Sequence, residues 1–167
     1  MSRLAIFASA FSRLHADLVI VRLKRAGIAT ASISLLHPVS CRPNSAQCWL
    51  GGSTKLRLSS GEKVASSGFL RPLLQNPAAT GTLATLDGKL AQLGLAHDQR
   101  VTLEGTLLEN RVVVAIDVAD KSELPTVFQV LQRAGAENVF TAKIAPFETL
   151  HEMRMSRPAR AALPVAA

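Results

Sequence analysis

Leu4, Ile6 and Ala8 alternate with Ala5 and Phe7, and both sets are apolar, so the chain opens on a strand covered on at least part of both faces. After Ser12 the period lengthens. Leu14, Leu18 and Val21 fall at i, i+4 and i+7, joined by Leu23, with Arg13, Asp17, Arg22 and Lys24 between them, which predicts a helix resting on that apolar stripe. Gly27 supplies a left-handed stop, and Ala31 to Leu36 reads as a second strand ending before Pro38.

The same plan returns without a gap at a shift of 108 residues, so that Arg3 to His37 matches Arg111 to Ala145. Val19 meets Val127, Leu23 meets Leu131, and Arg25-Ala26-Gly27 meets Arg133-Ala134-Gly135. In the second copy Val112 to Val118 is a strand, and Asp120 with Glu123 forms a capping box. Pro125 fits only the first helical turn, Val127, Val130, Leu131 and Ala134 make the buried stripe, and Val139 to Ile144 is the last strand. Two β-α-β units in one sheet, with right-handed crossovers, put both helices on the same face. The predicted fold is therefore α+β: a ferredoxin-like sandwich from repeats 3–37 and 111–145, helices on one face, within a single domain 1–152.

Residues 38–110 form an insertion. Gln47 to Leu50 and Ser53 to Leu58 flank Gly51-Gly52, a plausible two-residue hairpin turn. Pro72 and Pro77 leave room only for a short helix in Gly68 to Gly81. Leu83, Leu86, Leu90 and Leu93 then recur at helical spacing despite Gly88, and His97 to Asn110 is a further amphipathic segment leading into Arg111. From Met153 the chain changes character: Arg154, Arg157 and Arg160 with two prolines predict a disordered basic tail over 153–167.

Composition narrows the class. The 167 residues lack Tyr and carry one Trp, so the core is aliphatic, and no apolar run reaches the ~20 residues of a membrane span. Two cysteines are too few for a disulfide framework, which points to reduced thiols and a cytoplasmic protein. Leu4 to Ala8 before Ala8-Ser9-Ala10 imitates a signal peptide, but its counterpart Val112 to Ile116 recurs deep in the chain, so strand is the better reading. The net charge of +7 is uneven: residues 1–75 hold ten Lys or Arg against two acids, residues 76–150 six against nine. That imbalance suits an acidic partner or a second copy, and nucleic acid less, through the Arg tail.

Reactive side chains form no convincing constellation. His37, Cys41 and Cys48 are metal-ligating types, but their spacing matches no closed site, and a fourth ligand would have to come from His15, His97 or His151. Gly51-Gly52-Ser53-Thr54-Lys55 has phosphate-loop residues in the wrong order. Asp117, Asp120 and Glu123 crowd a strand end, where capping explains two of them and solvation of Asp117 the third. Phe7 and Phe140 are the sole strand aromatics for stacking on RNA bases. No catalytic, cofactor-binding or metal residues are assigned.

Leu93-Gly94-Leu95, a charged helix, Asn110-Arg111-Val112-Val113-Val114-Ala115, a helix, Ala134-Gly135 and a final strand together resemble the bacterial general stress protein family of the heat-induced type. Ala26-Gly27-Ile28 followed by Ile33-Ser34-Leu35-Leu36 matches its first half. The resemblance covers residues 3–145 apart from the middle, where Lys55, Arg57, Lys63 and Arg71 replace a Gly- and Ala-rich connection. It implies a stress-associated, non-catalytic role. The expected function is an interaction or scaffolding protein that self-associates as a homo-oligomer or docks onto a partner. The alternative is a small-ligand or metal sensor using the interface between the repeats.

Overall fold

The computed structural model describes residues 3–39, 53–75 and 85–144. In chain order the elements are β1 (Arg3–Ala10), α1 (Arg13–Arg25), β2 (Ile33–Pro38), β3 (Ser53–Arg57), β4 (Lys63–Gly68) and α2 (Leu70–Leu74). They continue with α3 (Leu86–Leu93), α4 (His97–Leu108), β5 (Val112–Val118), α5 (Leu124–Arg133) and β6 (Glu137–Ile144). The protein is thus mixed α and β. The cysteines, the Gly51-Gly52 turn and the tail 153–167 lie outside the described residues.

All six strands join one antiparallel sheet in the order β3-β4-β2-β5-β1-β6. β1 and β5 pair in its interior, Ile6 opposite Ile116 and Ala8 opposite Val114. β2 lies against β5 and β6 against β1. β1 and β5 are the most uniformly apolar strands, which suits positions paired on both sides and covered on both faces.

The two residue sets of β1 go to two cores. Ile6, Ala8 and Ala10, with Val112, Val114, Ile116 and Val118, meet Ala16, Val19, Ile20 and Leu23 of α1 and Val127 and Leu131 of α5. Ala5 and Phe7, with Val113 and Ala115, meet the insertion helices on the opposite face. The expectation of helices on one face therefore holds for α1 and α5 alone. Leu70, Leu74, Leu86, Leu90, Leu93, Leu103 and Leu107 of α2 to α4 are at most 1% exposed. At about 1.5–3 kcal/mol per fully buried leucine, this second layer is a major part of the fold's stability.

Both repeat helices stop as the sequence predicts. Gly27 and Gly135 have φ of 94° and 75°, and the following residue reaches back across the cap: Ile28 N donates to Leu23 O at 3.0 Å, Ala136 N to Leu131 O at 3.0 Å. Ser12 caps the start of α1 by accepting from His15 N at 3.1 Å. The capping box is half realised: Asp120 accepts from Ser122 N at 3.0 Å in a short 3-10 turn, whereas Glu123 makes no cap hydrogen bond. Pro125 sits in the first turn of α5.

Among the described residues Ser53–Arg57 pairs with Lys63–Gly68 across a turn at Leu58 to Glu62, where Leu58 N donates to Glu62 O at 2.8 Å; the expected turn at Gly51-Gly52 lies outside them. The stripe of α1 turns out differently from the expectation. Its buried residues are Ala16, Val19, Ile20 and Leu23, while Leu14 is 80% and Leu18 43% exposed. At the sheet edge, Gln99 Nε2 donates to Thr141 O at 3.1 Å and a register shift opposite Phe7 to Ser9 distorts β6, which discourages strand addition there.

Candidate functional site

The outer face of α1 is the first candidate. Leu14 and Leu18, together with the partly buried Val21, line a shallow apolar depression with Ser12, His15 and Asp17. Phe11, 50% exposed, stands at its N-terminal end, stacked on His15 with ring centroids 5.3 Å apart and under the Arg111 guanidinium at 5.1 Å. Cations gather at the other end, where the last turn carries Arg22, Lys24 and Arg25 and the first turn carries no acid.

Packing on the sheet buries one stripe of α1, and the alignment with α5 differs between the two stripes. At the shift of 108, the buried Val19 and Leu23 meet the buried Val127 and Leu131, but Leu14, Leu18 and Val21 meet Ser122, Thr126 and Gln129. The sister helix is polar where α1 is apolar. The match is partial: the buried Ile20 meets Phe128, which is apolar yet 39% exposed, so shared apolar character alone does not assign a position to the core. Exposed apolar residues clustered at helical spacing mark a contact surface more often than scattered ones do.

The second candidate is a cavity of about 220 Å³ lined by Arg3, Ala31, Phe69, Pro72, Leu73, Asp117 and Ile144. Its walls come from β1, β5 and β6, from the segment before β2, and from Phe69 with α2. Arg3 forms an ion pair with Oδ2 of Asp117, whose side chain is 3% exposed against 50% for Arg3. Oδ1 of Asp117 has no hydrogen-bond partner among the described residues. The expectation that Asp117 is solvated is therefore wrong: as the penultimate residue of β5 it points into the protein. Burial pushes its carboxyl above the ordinary carboxylate range, opposed by the charge and hydrogen bond of Arg3.

The other sequence candidates are structural or dispersed. His37 is buried at the end of β2, with Nδ1 3.0 Å from Pro38 O. Desolvation lowers its pKa, the Pro38 hydrogen bond partly offsets this, and Arg13 lowers it further. His15 links α1 to the end of α5: Phe11 N donates to its Nδ1 at 3.0 Å, and its Nε2–H therefore faces Ala134 O at 2.5 Å. His97 begins α4 on the surface, and Cys41, Cys48 and His151 lie outside the described residues. Among the described residues no three His, Cys, Asp or Glu side chains gather as for a metal.

Thr54 and Lys55 belong to β3, not to a loop opening a helix; Thr54 Oγ1 accepts from Gln75 Nε2 at 2.6 Å. Asp120 is exposed, and its hydrogen bonds to Ser122 hold its carboxyl below the ordinary range. Phe7 is fully buried and stacks on Phe140 at 5.3 Å. With helices over both faces, these aromatics offer no open platform for bases. No helix among the described residues is long and apolar enough to cross a membrane.

A scan against protein-family models finds no match, and neither a search of curated proteins nor one of solved structures returns a significant match.

Proposed function

We propose that this chain is a non-catalytic interaction protein that docks an acidic amphipathic segment of a protein partner on the outer face of α1. The observation that carries this reading is the asymmetry between the repeats: Leu14, Leu18 and Val21 are apolar where Ser122, Thr126 and Gln129 are polar. Leu14, 80% exposed, forgoes most of the about 1.5–3 kcal/mol that full burial of a leucine contributes, and Leu18, 43% exposed, a smaller part of it. Arg22, Lys24 and Arg25 at the end of the stripe favour acidic over basic occupants and give the encounter a salt-sensitive component. The same cations argue against α1 packing on α1 of a second copy, where last-turn cations would find no first-turn acids.

The reading includes a duplicated ferredoxin-like core, supported by the adjacency β2-β5-β1-β6 and by α1 and α5 sharing a face. It also includes a stress-associated setting, which the family resemblance implies, and a cytoplasmic one, which the two cysteines suggest. Light scattering on the wild type and on Leu14→Glu with Leu18→Glu tests the occupant. A monomer at tens of micromolar leaves the face free for a partner. A dimer that the paired substitutions dissociate would replace partner docking by self-association. Binding to anionic vesicles that depends on the same two leucines would replace it by a membrane surface.

A further inference from the structure

The cavity between the repeats presents an unusual combination: a carboxylate nine-tenths buried, one oxygen held by Arg3 and the other without a donor among the described residues. We propose that it is a binding site for a small neutral amide, a molecule with a carboxamide head and a short apolar body. This site is separate from the α1 face and does not depend on it.

Three features select that chemistry. Oδ1 of Asp117 needs an N–H donor, because a buried oxygen without one forfeits its hydrogen bond to water. Arg3 already balances the charge of Asp117, so a cationic guest would meet the guanidinium and an anionic one the carboxylate. A carboxamide carries the required donor beside a carbonyl that the unused guanidinium N–H groups can take. The rest of the wall is apolar: Phe69, Pro72, Leu73 and Ile144 suit a small hydrocarbon group.

Size sets a further limit. With roughly 30 Å³ per water in the liquid, a cavity of about 220 Å³ holds a guest of a few carbons and excludes a nucleotide or a peptide. Arg3 is the movable wall. Its half-exposed side chain lies on the solvent side of the pair, so swinging it admits the amide head to Asp117.

The test uses the full chain and three probes on one carbon skeleton: isobutyramide, isobutyrate and isobutylammonium, followed by two-dimensional amide NMR. The site predicts saturable shifts at Arg3, Phe69, Leu73 and Ile144 with isobutyramide, and binding of the two charged probes weaker by about tenfold or more. Asp117→Leu should abolish the response. Leu73→Trp, at a partly buried position of the cavity wall, should block it by filling the space without touching the ion pair, and so serves even if the first variant fails to fold. No saturable shifts, a preference for either charged probe, or unchanged binding in Leu73→Trp would each overturn the assignment.

Discussion

Replacing Gly68 by Ala probes a close approach of β4 to the backbone of β2. Gly68 ends β4 at φ 81°, opposite Ser34 of β2, and a Cβ built there lies 2.1 Å from Ile33 O and 2.7 Å from Ser34 Cα. Gly27 is the natural control, because its φ is 94° and a Cβ there meets nothing within 4 Å. Both alanines carry the left-handed backbone cost of about 1–2 kcal/mol. Gly68→Ala adds an overpacking cost of about 1–3 kcal/mol, since β2 must shift away. That shift also strains a buried network in which Ser34 Oγ donates to Ser67 O while accepting from Leu70 N at 3.3 Å. At about 2–4 °C per kcal/mol for a chain of this size, Gly68→Ala should melt lower than Gly27→Ala by a margin of several degrees. Thermal and urea denaturation of both variants measure it. Equal midpoints would show that β2 and β4 do not approach as described.

Other consequences follow from burial. Leu90→Ala, in the second layer, should lower stability by about 2–5 kcal/mol, and a loss near zero in urea denaturation would mean the insertion does not pack on the sheet. His37 has a folded pKa below its ordinary 6.5, so the stability it allows is present above that value and is lost as pH falls through it. His37→Gln should therefore soften the drop in melting temperature between about pH 7.5 and 5.5; an identical drop would contradict a buried neutral imidazole. Asp117 has the opposite sign. Its folded pKa lies above 3.8, so its contribution falls as pH rises from 3.8 through the raised value, and Asp117→Asn should be at least as stable as wild type at neutral pH. A clear loss there would show that the Arg3 pair outweighs desolvation.

The parts of this fold legible in the sequence are those fixed by local rules. Both copies announce their ends through Ala26-Gly27 and Ala134-Gly135, because only a glycine takes the left-handed cap without cost, and the strand runs at 4–8 and 112–118 announce themselves by apolar density. What misled was a choice between equivalent patterns. In α1 the set Ala16, Val19, Ile20 and Leu23 is as periodic as Leu14, Leu18 and Val21, and only the tertiary environment decides which faces the sheet. The β3–β4 hairpin was hidden because β4 reads Lys-Val-Ala-Ser-Ser-Gly, small and polar, yet Ser66 and Ser67 are fully buried. The Arg3–Asp117 cavity was not legible at all: its residues are 114 positions apart and meet through the β1–β5 register.

The account stands most directly on whether the α1 face binds what its chemistry fits. Fluorescence anisotropy of a labelled amphipathic peptide, leucines on one face and glutamates on the other, measures this against the wild-type chain, Leu14→Ser with Leu18→Ser, and the same peptide with lysine in place of glutamate. Saturable binding that weakens with salt, disappears in the serine variant at an unchanged melting temperature and is absent for the lysine peptide is the predicted result. Binding that survives the serine substitutions, or equal affinity for both peptides, would contradict the assignment of this face as a docking site for an acidic partner.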